Sequence, residues 1–236
     1  VQHARRLGAS PTKDAAARAA RGDVLLFLDG HTNPAPGALA RLVESLDACD
    51  GNAIITPAVP QLDVATWTNS RTQIGHGFGL RLDNFACWWI PLEKLTPRTI
   101  SGRSFYETPA LIGCALAVPR AVYDRLLGFD PHMRSWGLED LDFGLKAWLC
   151  GIPVLHDPAA VVGHRFRATF NNYAVPPDHI AVNEFRTARK HLSDPHWTEW
   201  LEMARLRHVP GDDRPPVIDG RLTGASTLPH VRTPVA

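Results

Sequence analysis

No apolar run in the 236 residues approaches the ~18–20 that a membrane-spanning helix needs. The opening VQHARRLGAS holds no apolar stretch of the kind that precedes a signal-peptide cleavage site. A surplus of one charge is also missing: 25 Lys+Arg against 24 Asp+Glu leave a formal net charge of +1. General binders of nucleic acid or anionic membrane rely on such a surplus, so the balance argues against both. Cysteine is scarce. Cys49, Cys87, Cys114 and Cys150 form no CxxC pair, which excludes a zinc ribbon. Each sits in an apolar segment, as the reduced, buried thiols of a cytosolic protein do. Internal repeats are absent too. The remaining composition, 44% apolar and 21% charged, is that of a folded globular chain. Its length suits one domain with a sizeable core.

What is present is an alternation of strand and helix patterns. Residues 13–21 are Ala/Arg-rich and predict a helix. Gly22-Asp23 closes it, and Val24–Leu28 (VLLFL) is a continuous apolar run of the kind buried in sheets covered on both faces. Beyond Asp29-Gly30-His31, Leu39, Leu42, Val43 and Leu46 recur at helical spacing, and residues 53–57 predict a second buried strand. Strand, helix, strand in this order predict an α/β fold: a mixed, mostly parallel sheet flanked by helices. Residues 58–109 read as an excursion of loops and edge strands, a length that points to function. A strand over 114–118 and a short helix over 120–127 follow. SWGLEDLDFGLKAWLCG then predicts a helix closed by Gly151. Residues 153–155 and 160–162 read as short strands, and two further helices carry Phe185 and Trp200. Residues 1–208 are expected to form the folded domain, and the Pro/Gly-rich residues 209–236 a flexible tail.

Three patches carry chemistry. In LFLDGHT, residues 26–32, Asp29 ends a buried strand and His31 stands two positions on. Residues i and i+2 of an extended chain share a side, and ligands of open α/β sheets bind beyond the carboxyl ends of strands. A carboxylate and an imidazole with open positions for water and phosphate oxygens suit Mn²⁺; alternatively Asp29 caps the next helix. In VVGHRFR, residues 161–167, His164 offers a third ligand, with Arg165 and Arg167 to take diphosphate charge. In WGLEDLD, residues 136–142, Glu139, Asp140 and Asp142 crowd the start of a helix. One of them could act as a general base or bind sugar hydroxyls, or all could complement the helix dipole. Trp88, Trp89, Phe105 and Tyr106 suit either an acceptor groove or the core.

In order and spacing these patches resemble the catalytic domain of the polypeptide N-acetylgalactosaminyltransferases, within the wider set of GT-A nucleotide-sugar glycosyltransferases. The resemblance runs from about Leu7 to Leu201 through GDVLLFLDGHTNPAPGALARLV, ITPAVPQLDVATWT, WWIPLEKLTP, ETPALIGCALAVPRAVYDRLLGFDP, SWGLEDLDFGLKAWLCG and VVGHRFR. It implies a GT-A, Rossmann-like fold and a Mn²⁺ (or Mg²⁺)-dependent transferase. Such an enzyme moves a hexose or N-acetylhexosamine from a UDP-sugar to a hydroxyl of a polypeptide Ser/Thr or of a glycan, with retention. Asp29 and His31 match the family's Asp-x-His metal motif, His164 its third metal ligand, and Arg167 the arginine that closes the diphosphate site. Trp136, Gly137 and Glu139 match a Trp-Gly-Gly-Glu motif at the donor and acceptor sugars, and Gly113 a glycine lining the donor sugar.

Three departures stand out. Cys114 replaces a second glycine beside the donor sugar, Leu138 the second glycine of Trp-Gly-Gly-Glu, and Asp140 the usual Asn. Glu139 and Asp140 are therefore both candidate catalytic carboxylates, and an adjacent Glu-Asp pair also fits an inverting mechanism with Asp140 as base. The resemblance implies that the domain's first strands, with much of the uridine pocket, precede the region Val1 matches. It also implies that the family's C-terminal lectin domain is absent. The alternative function is a truncated, inactive domain serving as a partner or remnant. Without a leader the chain falls by default to the cytoplasm, whereas the enzymes it resembles act in the secretory lumen.

Overall fold

The computed structural model describes residues 2–166 and 174–208. Helix α1 (Ala9–Ala19) starts earlier than the Ala/Arg pattern predicts, because Gly8, at φ 108°, turns the chain into it. Ala9 N donates to Ser135 O at 2.6 Å. A Cβ on Gly8 would lie 2.6 Å from that same oxygen, so only glycine permits the approach.

Strand β1 (Val24–Leu28) runs where VLLFL predicts it. Leu25 and Phe27 enter the core, but Leu26 and Leu28 each stay 37% exposed. Only one face of β1 is covered by the described residues, whereas a continuous apolar run signals burial on both. The chain continues through β2 (Thr32–Pro34), α2 (Ala38–Ala48) and β3 (Ile54–Asp63). The excursion is more regular than its sequence suggests. It holds β4 (Thr68–Gly75), β5 (Gly77–Leu80), β6 (Cys87–Ile90), β7 (Thr96–Ile100) and β8 (Arg103–Glu107). Next come β9 (Ala115–Pro119), α3 (Arg120–Arg125), α4 (Glu139–Leu149), β10 (Val154–His164), α5 (Pro177–His191) and α6 (Asp194–His208). The expected tail, residues 209–236, lies outside the described residues. Among the described residues no helix is long and apolar enough to cross a membrane.

The main sheet has the order β1-β9-β3-β10-β8-β7, with β2 on β10 and β4 on β3; β5 and β6 form a separate ribbon. β1 and β3 are parallel to each other, as strand–helix–strand predicts, but β9 lies between them and is antiparallel to both. The one parallel ladder among the described strands joins β3 and β10. The sheet is thus mixed but mostly antiparallel, not mostly parallel as expected: β9 inserts antiparallel between β1 and β3, and β2, β4, β8 and β7 also join antiparallel. β10 fuses the two short strands expected around Pro158. The proline lacks a donor N–H, and the register with β3 shifts between Asp157 and Val161.

Helices α3 and α4 cover one face, with Phe129 and Phe143 packed among Leu25, Phe27 and Leu116. α2 covers the other, setting Leu42 and Leu46 on Ile55, Ala117 and Leu155. α5 and α6 bring Phe185 and Trp200 onto Leu141 of α4. Beneath that contact lies a buried ionic network. Arg186 makes a fork on Asp130 at 2.9–3.0 Å. Lys190 bridges Asp130 (2.8 Å) and Asp142 (2.7 Å), and His191 lies 2.8 Å from Asp142. Burial opposes ionisation of Asp142, but Lys190, Lys146 and His191 outweigh it and hold the carboxyl well below its ordinary range. Asp142 therefore ties α4 to α5 and does not join the site. Asp142→Ala leaves the buried Lys146 ammonium without a carboxylate and Lys190 with Asp130 alone, and is expected to lower unfolding free energy by about 3–5 kcal/mol. Urea unfolding measures this; a loss below about 1 kcal/mol would show that the network contributes little.

A second buried pair predicts acid sensitivity. His156 is fully buried on β10, and its Nε2 lies 3.1 Å from His76 Nδ1. Burial, and then the neighbouring His76, push its pKa down from 6.5 to about 4. The native imidazole stays neutral where the unfolded one takes a proton. Its contribution is complete above pH 6.5 and is lost as pH falls towards 4. Linkage puts the loss at about 2 kcal/mol by pH 5. His156→Gln is expected to flatten the difference in unfolding free energy between pH 7 and pH 5 by about that amount; an unchanged difference would contradict it.

Candidate active site

Asp29 leaves the end of β1 with its N–H donated to Cys114 O at 2.9 Å and its carbonyl accepting from Thr32 Oγ1 at 2.9 Å. The chain then turns through His31 into β2. β2 pairs with the end of β10, placing Thr32 opposite His164, and Arg165 N donates to His31 O at 3.1 Å. This short ladder sets residue 164 beside residues 29–31. His164 Nε2 lies 3.3 Å from Asp29 Oδ2 and His31 Nε2 3.9 Å from the same oxygen. The two imidazole rings are 4.7 Å apart.

The ligand-capable atoms of Asp29, His31 and His164 all lie within 4.8 Å of one another. Neighbouring ligands on an octahedral ion with bonds of about 2.1 Å sit about 3 Å apart, so small side-chain rotations complete the set. A carboxylate with two imidazoles is a donor set for a borderline divalent ion. His164 Nδ1 is buried with no hydrogen-bond partner among the described residues, a polar demand left unmet. The group therefore fits a divalent cation. Burial alone would raise the pKa of Asp29, but the His164 hydrogen bond, Lys13 and the imidazoles outweigh it and lower it, keeping a carboxylate ready for a cation.

The opposite wall is the start of α4. The loop into it uses positive φ at Ser135 (47°), Gly137 (103°) and Leu138 (67°). A left-handed leucine is strained by about 1–3 kcal/mol. Its side chain packs with Phe85, Leu141 and Trp200, which holds the loop in place. Glu139 is 5% exposed. Its Oε2 accepts from Gly137 N at 3.1 Å and its Oε1 from Lys13 Nζ at 3.2 Å. Asp140 accepts from Gly113 N (2.8 Å) and Leu141 N (2.9 Å). Burial, then the charge of Glu139, push Asp140 up to about 6 against the pull of Lys13 and those two N–H groups. Gly113 sits so close that a Cβ would lie 2.8 Å from Asp140 Cβ and 3.1 Å from Lys13 Nζ.

Between the walls opens a cleft of about 630 Å³, lined by the metal-ligand set, Glu139, Asp140, Gly113 and Cys114 and floored by apolar side chains. Trp136, 42% exposed, and Gly137 stand on it. Burial pushes the Cys114 thiol well above its ordinary pKa, so it is an inert part of the wall. Arg167 lies outside the described residues. Of the aromatics in question, Phe105 is core, whereas Trp88 and Trp89 are 47% and 37% exposed. Trp89 meets Phe166 at 5.8 Å between ring centres, and Phe166 lines the cleft. Sequence reasoning missed Lys13. It is an ammonium at neutral pH, donating to Glu139 Oε1 and, at 3.0 Å, to Gly113 O. Burial works to lower its pKa, but Glu139, Asp29 and Asp140 outweigh it and raise it. A lone lysine in an Ala/Arg helix carries no local sign of such partners.

A mixed sheet with helices on both faces, and a carboxylate-imidazole set at a strand's carboxyl end facing an acidic helix start, define a GT-A-type glycosyltransferase domain. The chain belongs to glycosyl transferase family 2, whose sequence model matches residues 1–127. A second model, the N-terminal domain of galactosyltransferase, matches residues 101–166. Among curated relatives, polypeptide N-acetylgalactosaminyltransferase 8 of Drosophila melanogaster is 30% identical over 170 residues, covering 71% of this chain and 28% of that protein. Polypeptide N-acetylgalactosaminyltransferase 15 of Mus musculus is 29% identical over 211 residues, covering 87% of this chain and 31% of that protein. The chain thus spans less than a third of the length of either relative. The crystal structure of GalNAc-T7 with UDP, GalNAc and Mn²⁺ superposes with a TM-score of 0.66 at 22% identity, over 83% of this chain and 37% of that one, a likeness of fold. The resemblance to the polypeptide N-acetylgalactosaminyltransferases is borne out by these relatives.

Proposed function

We propose that residues 1–208 form the catalytic domain of a divalent-metal-dependent glycosyltransferase. It moves a hexose or N-acetylhexosamine from a UDP-sugar to a hydroxyl of a polypeptide Ser/Thr or of a glycan. The observation that carries this reading is the meeting of Asp29, His31 and His164 in one cleft with Glu139 and Asp140. Family relatives named as polypeptide N-acetylgalactosaminyltransferases support the donor and acceptor classes.

In this reading Asp29, His31 and His164 hold the cation, and Asp29, Gly113, Cys114, Trp136 and Gly137 border the donor. When bound, Mn²⁺ or Mg²⁺ supplies positive charge for a diphosphate leaving group. The chain's own residues do the rest. Glu139, fixed through both oxygens, faces the positive charge that develops on the sugar ring, and orients hydroxyls. Asp140 pins the Gly113 backbone against the cleft. Arg167 is proposed for the diphosphate. Retention is the favoured outcome, with the leaving phosphate taking the acceptor proton. Inversion would instead use Asp140, whose raised pKa of about 6 suits a base near neutrality. The cytoplasmic default finds no support in these relatives.

The second reading, an inactive domain acting as a partner, is favoured by the half-open face of β1, where Leu26 and Leu28 are each 37% exposed. Incubation with Mn²⁺, UDP-hexoses or UDP-N-acetylhexosamines, and Ser/Thr peptides or glycans separates the two. Mass spectrometry is expected to show one added sugar that EDTA abolishes, and the anomer read by NMR reports the stereochemistry. Metal-dependent nucleotide binding with neither transfer nor hydrolysis would favour the inactive domain.

A further inference from the structure

Two cavities meet at Lys13. The main cleft and a second hollow of about 550 Å³ share Lys13, Asp29 and Trp136 in their walls. The ammonium stands between the two acidic parts of the site. It is 4.0 Å from Asp29 Oδ1 and 3.2 Å from Glu139 Oε1, with a further bond of 3.0 Å to Gly113 O. Its side chain is 18% exposed, against 32% for Asp29 and 6% for Glu139. The Glu139 seat is thus the drier and shorter contact, and the Asp29 seat the looser one. α1 itself is fixed by the contact of Gly8 and Ala9 with Ser135. The lysine therefore has a short range of movement between two anionic seats. A divalent cation held by Asp29, His31 and His164 would bring two positive charges within a few ångströms of this third one, and like charges at that distance in a half-buried site repel strongly.

We propose that Lys13 is a positioning residue that couples the cation site to the acidic pair. Without metal its ammonium is shared between Asp29 and Glu139. A divalent cation at Asp29 drives it wholly onto Glu139 and the Gly113 carbonyl. Metal binding thereby fixes the Glu139 carboxylate and the Gly113 backbone, and the two halves of the cleft are set together. The inference rests on the metal reading of Asp29, His31 and His164. Coupling of this kind is reciprocal: whatever removes the Glu139 seat returns the ammonium to Asp29 and weakens the metal.

The test is calorimetric titration of Mn²⁺ alone into the full chain and its variants. Lys13→Met is expected to bind Mn²⁺ about 5–20-fold more tightly than wild type, and Lys13→Arg to stay within about threefold of it. A merely structural lysine would give looser binding on removal. Glu139→Gln is expected to weaken Mn²⁺ binding about fivefold in the wild-type background and to change it less than about twofold in the Lys13→Met background. A simple loss of field from Glu139 would persist in both. Should Lys13→Met not fold, Lys13→Gln gives the same comparison, and the Glu139→Gln arm stands on its own. If wild type binds Mn²⁺, Asp29→Ala loses it, and Lys13→Met and Glu139→Gln change nothing, the coupling is overturned and the metal site stands. If wild type and every variant take up no Mn²⁺, both the metal reading and the coupling fall.

Discussion

Alanine at Asp29 or at His164 is expected to abolish Mn²⁺-dependent UDP binding. Asp29 supplies the carboxylate to which both imidazoles turn, at 3.3 and 3.9 Å, so its loss removes the anion of the set. His164 is held by the β2–β10 ladder beside residues 29–31, and its loss leaves two protein ligands. Changes that merely reorient a metal ligand cost about 10–100-fold in affinity. Deleting one of three ligands is expected to cost more than about 100-fold, leaving UDP affinity in Mn²⁺ equal to that in EDTA. The Asp29 carboxylate is 32% exposed, whereas His164 is buried, with its ring against His31 and Phe166 at the cleft. The unfolding midpoint of Asp29→Ala should therefore stay near wild type, and urea unfolding checks that His164→Ala is folded before its binding is read. Retained Mn²⁺-dependent binding in either variant would show that the cation sits elsewhere.

Glu139→Gln separates binding from chemistry. The amide keeps the shape of the carboxylate and can still accept from Gly137 N, so UDP binding at saturating Mn²⁺ stays within about threefold of wild type. Its charge is gone, and with it the electrostatic stabilisation of a cationic sugar. Removal of one such preorganised group costs about 10²–10³-fold in turnover. A transfer rate within threefold of wild type would reduce Glu139 to a support for the Gly137 loop. Asp140→Asn helps locate the charge: Gly113 N and Leu141 N donate to different carboxylate oxygens, so the amide oxygen keeps one of the two bonds while the charge is removed. In a retaining enzyme this variant keeps most activity, and in an inverting one it loses it.

The site was legible where its chemistry is local. Asp29 and His31 are neighbours in sequence, and the end of β1 had to lie at the sheet's carboxyl edge once the strand was placed. His164 was legible only through block order, because the ladder that brings it in pairs three residues of β2 with three of β10. Lys13 was not legible: nothing within its helix marks the contact with Glu139, 126 residues away. Asp142 was misleading. It shares a short acidic run with Glu139 and Asp140, yet one helical step turns it to Lys190 and His191, deep under α5. The same limit applies to the sheet. Local patterns placed β1, α2 and the start of β3, but they could not place β9 between β1 and β3, because antiparallel insertion leaves no trace in either strand. The excursion over 58–109 hid five strands besides the end of β3, since its turns and polar edge positions break the alternation that reveals strands.

The proposed function requires that Asp29, His31 and His164 hold a divalent cation to which a nucleoside diphosphate binds. Calorimetric titration of UDP into the chain, with Mn²⁺ and then with EDTA, tests this directly. Saturable binding in Mn²⁺ that disappears in EDTA is the predicted result. Equal affinity under both conditions, or no binding under either, would contradict it.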